Sequence, residues 1–270
     1  MLTIILSLLL LTVSSLRAEQ DCAYIACHTR PCERASKRHD HIFDADATST
    51  NWSGYVAALS LAGPIPLSAS SVSGSWIVPN IQPSSMDTSC SIWVGIDGAG
   101  SPSVEQIGTE HDYKNGQQSH YAWFEMFPLP SQELVGFPVN VGDTITASVV
   151  YIPVGNVLPA TSDLYILTLT NNTKKLYTSI PYITTTNMER VCVEWIIEAP
   201  WLNVTLPLSN FGVAHMFNCM AVIGNVSGPI NSPKWSNERM SMISAAGVSQ
   251  AVASILDAGG ESFSVQWQHN

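Results

Sequence analysis

Five polar side chains in two parts of the chain are of the kinds that move protons or hold charge. Glu194 and Glu198 stand in "VCVEWIIEAP", and Gln106, Glu110 and Glu125 stand in the neighbouring runs "EQIGTEHDYK" and "HYAWFEMFP". In the first run Val193, Trp195 and Ile197 alternate as a buried strand face, which puts Glu194, Ile196 and Glu198 on the opposite one. A carboxylate so placed serves general acid–base chemistry, and an amide that never ionises serves as a donor to developing negative charge. The bland account is a solvated sheet face, which suffices for any single exposed Glu. Tryptophans beside the carboxylates weaken that account, since a groove for an extended ligand uses indole rings and a merely wet face gains little from them.

The element that must position Gln106 can be put in register from sequence. Asn115-Gly116 marks a two-residue turn, because both residues tolerate positive φ. With Lys114 opposite Gln117, paired residue numbers sum to 231, so Gln106 faces Glu125, Gly108 faces Trp123 and Glu110 faces Tyr121. Cross-strand neighbours on one face lie about 5 Å apart. Gln106, Glu110, Asp112, Tyr121, Trp123 and Glu125 therefore share a polar and aromatic face, and Ile107, Ala122, Phe124 and Met126 point to the core.

The rest of the chain reads as a setting for these runs. Of 270 residues 46% are hydrophobic, enough for one large domain with its own core. From Asn51 onward, short Val/Ile/Thr/aromatic runs separated by Gly, Pro and Asn predict an all-β antiparallel sandwich. Strands are expected at 52–59, 72–78, 91–97, 103–113, 118–127, 143–152, 163–170, 175–180, 191–198, 211–223 and 261–267, with 245–260 as strand and turn.

Residues 1–18, "MLTIILSLLLLTVSSLRA", read as a secretory signal peptide too short to span a membrane comfortably. Residues 19–48 lack periodicity, hold the Lys37-Arg38 pair and read as a prosegment or an N-terminal arm, leaving 49–270 as the domain. Sequons at Asn51, Asn171, Asn203 and Asn225 agree with secretion to the extracellular space. The six cysteines, Cys22, Cys27, Cys32, Cys90, Cys192 and Cys219, read as disulfide candidates that permit fifteen pairings.

Charge excludes some partners. From His39 onward six Lys/Arg stand against eighteen Asp/Glu, a balance of minus twelve, which argues against nucleic acid and anionic membranes. So few basic groups also imply tolerance of acid, because little positive charge can build up. Arg30, Arg34, Lys37 and Arg38 form a basic segment able to cover an acidic cleft. No HExxH, GxSxG or P-loop motif occurs, no metal or cofactor is expected, and His111 and His120 read as surface residues near the turn.

Six stretches in order, "NWSGY" (51–55), "SGSWIVPN" (73–80), "SIWVGIDG" (91–98), "EQIG" (105–108), "YAWFEMFP" (121–128) and "VEWIIE" (193–198), resemble the successive motifs of the glutamic peptidases, the eqolisin (peptidase G1) family. The resemblance runs from about Asn51 to the C-terminus and is weakest over 153–188. It implies two antiparallel sheets of about seven strands each, concanavalin-like, with substrate across the concave face of one. It also implies a catalytic Gln and Glu, falling on Gln106 and Glu194. Trp52, Trp93, Asp97, Glu110, Trp123 and Glu125 fall on substrate-binding positions, with Glu110 where the family usually has Asp and Tyr121 where it usually has an acid.

The activity so implied is a secreted acid endopeptidase, insensitive to pepstatin, acting as a monomer on polypeptides. Glu194 would take a proton from water and return it to the leaving amine, with the Gln106 amide holding the oxyanion. Glu198 is left as a polar rim residue. Two other classes stay open on the residues alone: a glycoside hydrolase pairing Glu194 with Glu125, and a lectin-like module stacking sugars on Trp52, Trp93 and Trp123.

Overall fold

The computed structural model describes residues 22–32, 47–63, 65–154, 162–185 and 188–269, and among them every regular element is a strand. In chain order these begin with β1 (Ala23–Tyr24), β2 (His28–Pro31), β3 (Ala47–Ser49), β4 (Trp52–Ala58), β5 (Ala69–Ile77), β6 (Thr88–Ile96) and β7 (Val104–Lys114). Next come β8 (Gln117–Phe127), β9 (Gln132–Val135), β10 (Thr144–Ile152), β11 (Leu164–Asn171), β12 (Leu176–Ile183) and β13 (Cys192–Glu198). The chain continues through β14 (Trp201–Leu202), β15 (Val204–Thr205), β16 (Val213–Ile223), β17 (Val226–Pro229), β18 (Ser236–Ile243), β19 (Ser249–Ala253) and β20 (Phe263–Trp267).

All but β14 and β15 belong to one hydrogen-bonded network of eighteen strands. One succession runs antiparallel through β18, β4, β13, β6, β7, β8, β9 and β2, with β3 parallel beside β18. Another runs through β17, β16, β5, β10, β11 and β12, with β1 parallel at its edge. β20 and β19 link β16 to β18 and so close the network.

The two successions meet across a shared core. Trp195 of β13 donates its indole N–H to Ser73 O of β5 at 2.8 Å, and Trp76 of β5 donates to Thr109 Oγ1 of β7 at 2.9 Å. Gly74 makes room for the first of these contacts: a Cβ there would lie 2.9 Å from Trp195 Cδ1. Val193, Trp195 and Ile197 enter this core with Ile107, Ala122, Phe124 and Met126, as their alternation predicts. Both of these indoles thus pair their N–H, so the two rings pack across the core without an unsatisfied donor.

The β7–β8 hairpin has the register expected of an Asn-Gly turn, Lys114 opposite Gln117 and Gln106 opposite Glu125, with Asn115 and Gly116 both at positive φ. β18 was missed by the expected strands because buried Glu238 interrupts the apolar alternation that Met240 and Met242 continue. β1 and β2 are short exposed edge strands held by backbone pairing, so they leave no hydrophobic period to read. β2 pairs with β9, and Arg30 is ion-paired with Glu133 there. Arg34, Lys37 and Arg38, the rest of the basic segment, lie outside the described residues. The six cysteines are free thiols, with Cys90, Cys192 and Cys219 buried on β6, β13 and β16.

Candidate active site

Directly paired residues of antiparallel strands point to the same side, so the ladder fixes which side chains share a face. One row crosses five strands as Val56, Glu194, Gly95, Gln106 and Glu125, and continues on β18 with Glu238. The next row is Gly54, Ile196, Trp93, Gly108 and Trp123. The third is Trp52, Glu198, Ser91, Glu110 and Tyr121. Seven of the eight residues singled out from sequence thus stand on one face, and Asp97 does not.

Glu194 and Gln106 flank Gly95 on their row, two strand spacings or about 9.5 Å apart at Cα. Gly95 has no side chain to fill the interval, and a Cβ there would meet Trp93 Cζ3 at 2.9 Å and Gln106 Cβ at 3.2 Å. The Gly of "QIG" has a related reason: a Cβ on Gly108 would lie 2.5 Å from Trp93 Cβ.

Glu194 is fully buried, and its two carboxylate oxygens differ. Oε1 accepts from the Ala99 N–H and from Cys192 Sγ, each at 3.1 Å, whereas buried Oε2 has no hydrogen-bond partner. Burial pushes this carboxyl well above the ordinary glutamate range; the Cys192 and Ala99 donors pull it down, and the Asp97 charge pushes it up. Gln106 Nε2 donates to Glu125 Oε2 at 2.7 Å. That acceptor turns the amide nitrogen rather than its oxygen to the Glu125 side and uses one of its two hydrogens.

Glu198 is not a rim residue. It is 1% exposed, and its Oε1 accepts from Asn51 Nδ2 at 3.0 Å while Oε2 accepts from Trp93 Nε1 at 2.9 Å. Trp93 in turn meets Trp52 edge-to-face at 5.1 Å between centroids. Trp52, Trp93, Trp123 and Ile196 form one apolar cluster on this face, on which Tyr121 packs. Glu110 is buried beside Ser91, whose hydroxyl donates to Glu110 Oε2.

Asp97 follows β6 in the left-handed region at φ 65° and is fully buried. Its oxygens accept from the amides of Val191 and Arg190, each at 2.7 Å, and its own N–H donates to Cys192 O at 3.0 Å. A carboxylate committed to two backbone donors anchors the entry to β13 instead of facing a ligand. Burial nonetheless raises it to about 6, the Val191 and Arg190 amides acting against the shift.

Sequence reasoning did not single out Glu105, buried behind Gln106 and pushed up by burial and then by the Asp97 charge. Nor did it find the role of Cys192, although i, i+2 spacing puts that thiol on the Glu194 face. His111 is not at the surface: it is fully buried, and its Nδ1 lies 2.9 Å from Nδ1 of half-buried His120. With Trp76 donating to Thr109 Oγ1, the Thr109 hydrogen is available to His111 Nε2 at 2.9 Å. Such a chain needs neutral imidazoles, in keeping with the lowering of both by burial.

The sequence model of the Peptidase A4 family matches residues 50–265. No curated protein matches the chain. Among solved structures, scytalido-glutamic peptidase with a transition state analog inhibitor is similar at a TM-score of 0.64 and 21% identity, over 81% of this chain and 98% of that one. SCP-B, a member of the Eqolisin family of peptidases in a complex with the tripeptide Ala-Ile-His, gives 0.59 and 20%, over 81% and 98%. Aspergilloglutamic peptidase from Aspergillus niger gives 0.54 and 22%, over 67% and 99%. At such identities the likeness is one of fold.

Proposed function

This chain belongs to the Peptidase A4 (eqolisin) family and is a glutamic-type endopeptidase, and from that premise we propose that Glu194 and Gln106 are its catalytic dyad. The observation that carries the assignment is their shared row across Gly95, a base and a neutral donor with no other side chain of that row between them. In this reading a peptide carbonyl and a water are held between Glu194 and Gln106, each meeting one of the two side chains.

Glu194 Oε2 takes a proton from the water as its oxygen attacks the carbonyl carbon. The carbonyl oxygen becomes an oxyanion and accepts from Gln106 Nε2, which Glu125 holds in orientation. Glu194, now a carboxylic acid, returns the proton to the amide nitrogen as the C–N bond breaks, giving a free amine and a carboxylic acid. The base works only when ionised. Its burial therefore places the ascending limb of activity above the ordinary glutamate range, which narrows the expected acid activity to its milder part.

Insensitivity to pepstatin belongs to the same proposal, because Glu194 has an amide where an aspartic dyad has a second carboxylate. We read the two strand successions as the two layers of a sandwich, with the Glu194 face as its concave, substrate-bearing side. Trp52, Trp93 and Trp123 then form an apolar bed for an extended polypeptide, and Glu110 and Glu125 border it. In the same reading residues 1–18 serve export, residues 19–48 form a prosegment or an N-terminal arm, and the enzyme works outside the cell; the monomeric state is a further part of the proposal. A glycoside hydrolase is disfavoured, since Glu125 lies three strand spacings from Glu194, about 14 Å at Cα, with Gln106 between them. A lectin-like module has no use for the buried, raised Glu194.

The test is cleavage of denatured casein from pH 3 to pH 7, with and without pepstatin. Glu194→Gln should abolish turnover and Gln106→Ala should lower it about 10² to 10³-fold. Undiminished cleavage by Glu194→Gln defeats the assignment.

A further inference from the structure

We infer that Cys192 is a positioning residue: with the Ala99 amide it occupies Oε1 of Glu194 and so leaves Oε2 as the oxygen that takes the proton from water. This rests on the reading of Glu194 as the base.

The two donors reach one oxygen from two directions. The Ala99 N–H comes from the loop after β6 at 3.1 Å, and Cys192 Sγ comes from two residues back on β13 at 3.1 Å. Their backbones are tied together, since Asp97 N–H donates to Cys192 O and Asp97 holds the amides of Arg190 and Val191. Gly98, at φ 118°, lets the loop pass this close, for a Cβ there would lie 3.4 Å from Glu194 Oε1 and 2.9 Å from Trp52 Cη2. The result is a carboxylate with one occupied oxygen and one buried oxygen without a partner, Oε2. A base that must present one lone pair to a water is prepared by such asymmetry.

The thiol has a second acceptor, Ala99 O at 3.4 Å, and only one hydrogen to give. The ionised carboxylate attracts that hydrogen to Oε1. Once Oε2 has taken the water's proton, the negative charge on Oε1 is gone and the hydrogen can turn to the carbonyl. Cys192 thus adds stabilisation to the form of Glu194 that precedes attack. It is not a nucleophile, because it is fully buried and its thiol is pushed well up by burial and then by the Glu194 charge.

The titratable groups that bear on Glu194 are Cys192 on its own strand, Asp97 on the loop and Glu105 on β7. Its row neighbours Val56 and Gly95 carry no charge.

The experiment compares Cys192→Ala, Cys192→Val and Cys192→Ser in the full-length protein, reading kcat, KM, the pH profile and the Tm. Ala and Val both remove the donor, and Val largely keeps the volume. On the acid limb both should lower kcat about 5- to 10-fold, the worth of one hydrogen bond to the ionised base, leave KM within about twofold, and move that limb to higher pH. Ser keeps a donor and should bring kcat to within about threefold of the parent and return the limb toward its original position. If Val behaves as the parent, or if Ser is as impaired as Ala with no shift of the limb, Cys192 only fills space and the inference is overturned. Glu194→Gln separates the two claims. Its full activity removes the base itself, whereas an inactive Glu194→Gln beside an unaltered Cys192→Val removes the role of the thiol alone.

Discussion

Glu194 and Gln106 stand on one cross-strand row with Gly95 alone between them, and the Trp93 ring and Gln106 Cβ close over the position a Gly95 side chain would take. Gly95→Ala should therefore act on chemistry more than on fold. The added methyl meets the Trp93 ring at 2.9 Å, and that ring is held by Glu198, so Gln106 or Trp93 must shift. A loss of kcat/KM of at least tenfold is expected, with a near-native circular dichroism spectrum; unchanged kinetics would show that the interval is not used.

Glu198 holds two buried donors, Asn51 Nδ2 and Trp93 Nε1. Glu198→Ala strands both and leaves a cavity, which should cost about 2 to 4 kcal/mol in denaturant unfolding. Glu198→Gln keeps the volume and one acceptor oxygen but turns an NH2 toward one of the donors, so it should fall between Ala and the parent. Equal midpoints for all three proteins would remove the role.

The difference between Glu194 and Glu198 also shows how far the sequence could be read. A period of two assigns every β13 side chain to a face, and an Asn-Gly turn fixes the β7–β8 register to the residue, because both are local rules. What Glu198 touches depends on Trp93 and Asn51, which are distant in sequence and brought near by β6 and β4. Asp97 lies in "WVGIDG" beside face residues, yet its φ of 65° turns it onto the Arg190 and Val191 amides. Buried Glu105, Glu238 and His111 were equally hidden, since charge in a sequence normally signals solvent.

Two of the four sequons have their acceptor nitrogens already committed. Asn51 Nδ2 donates to Glu198, and Asn171 Nδ2 donates to Pro138 O and Asp143 Oδ2, both residues being buried. Asn203 and Asn225 are exposed at positive φ, 59° and 62°. Expression through a glycosylating secretory route should give occupancy at Asn203 and Asn225 and none at Asn51 or Asn171, as read by peptide mass spectrometry after glycosidase treatment. A glycan on Asn51 or Asn171 of the folded protein would contradict the packing around β13 or β11.

Stability should rise as pH falls from neutrality, for a reason separate from the scarcity of basic residues. Asp97, Glu105 and Glu194 all have folded pKa values above the unfolded ones, so the folded chain binds more protons in that interval. Their stabilisation is complete below about pH 4, near the unfolded carboxylate values, and is lost as pH rises through the folded ones. For Asp97, raised from 3.8 to about 6, this amounts to about 3 kcal/mol. His111 and His120 act oppositely: lowered by burial, they destabilise the fold as pH falls below their unfolded value of about 6.5. Three carboxyls against two imidazoles leave the Tm higher at pH 4 than at pH 7.5. Glu105→Gln imitates the protonated acid and should flatten the slope of Tm between pH 5 and pH 7.5, without moving the Tm at pH 4 by more than a few degrees. A Tm that climbs steadily from pH 4 to pH 7.5 in the parent would mean that these carboxyls are ionised inside the folded protein.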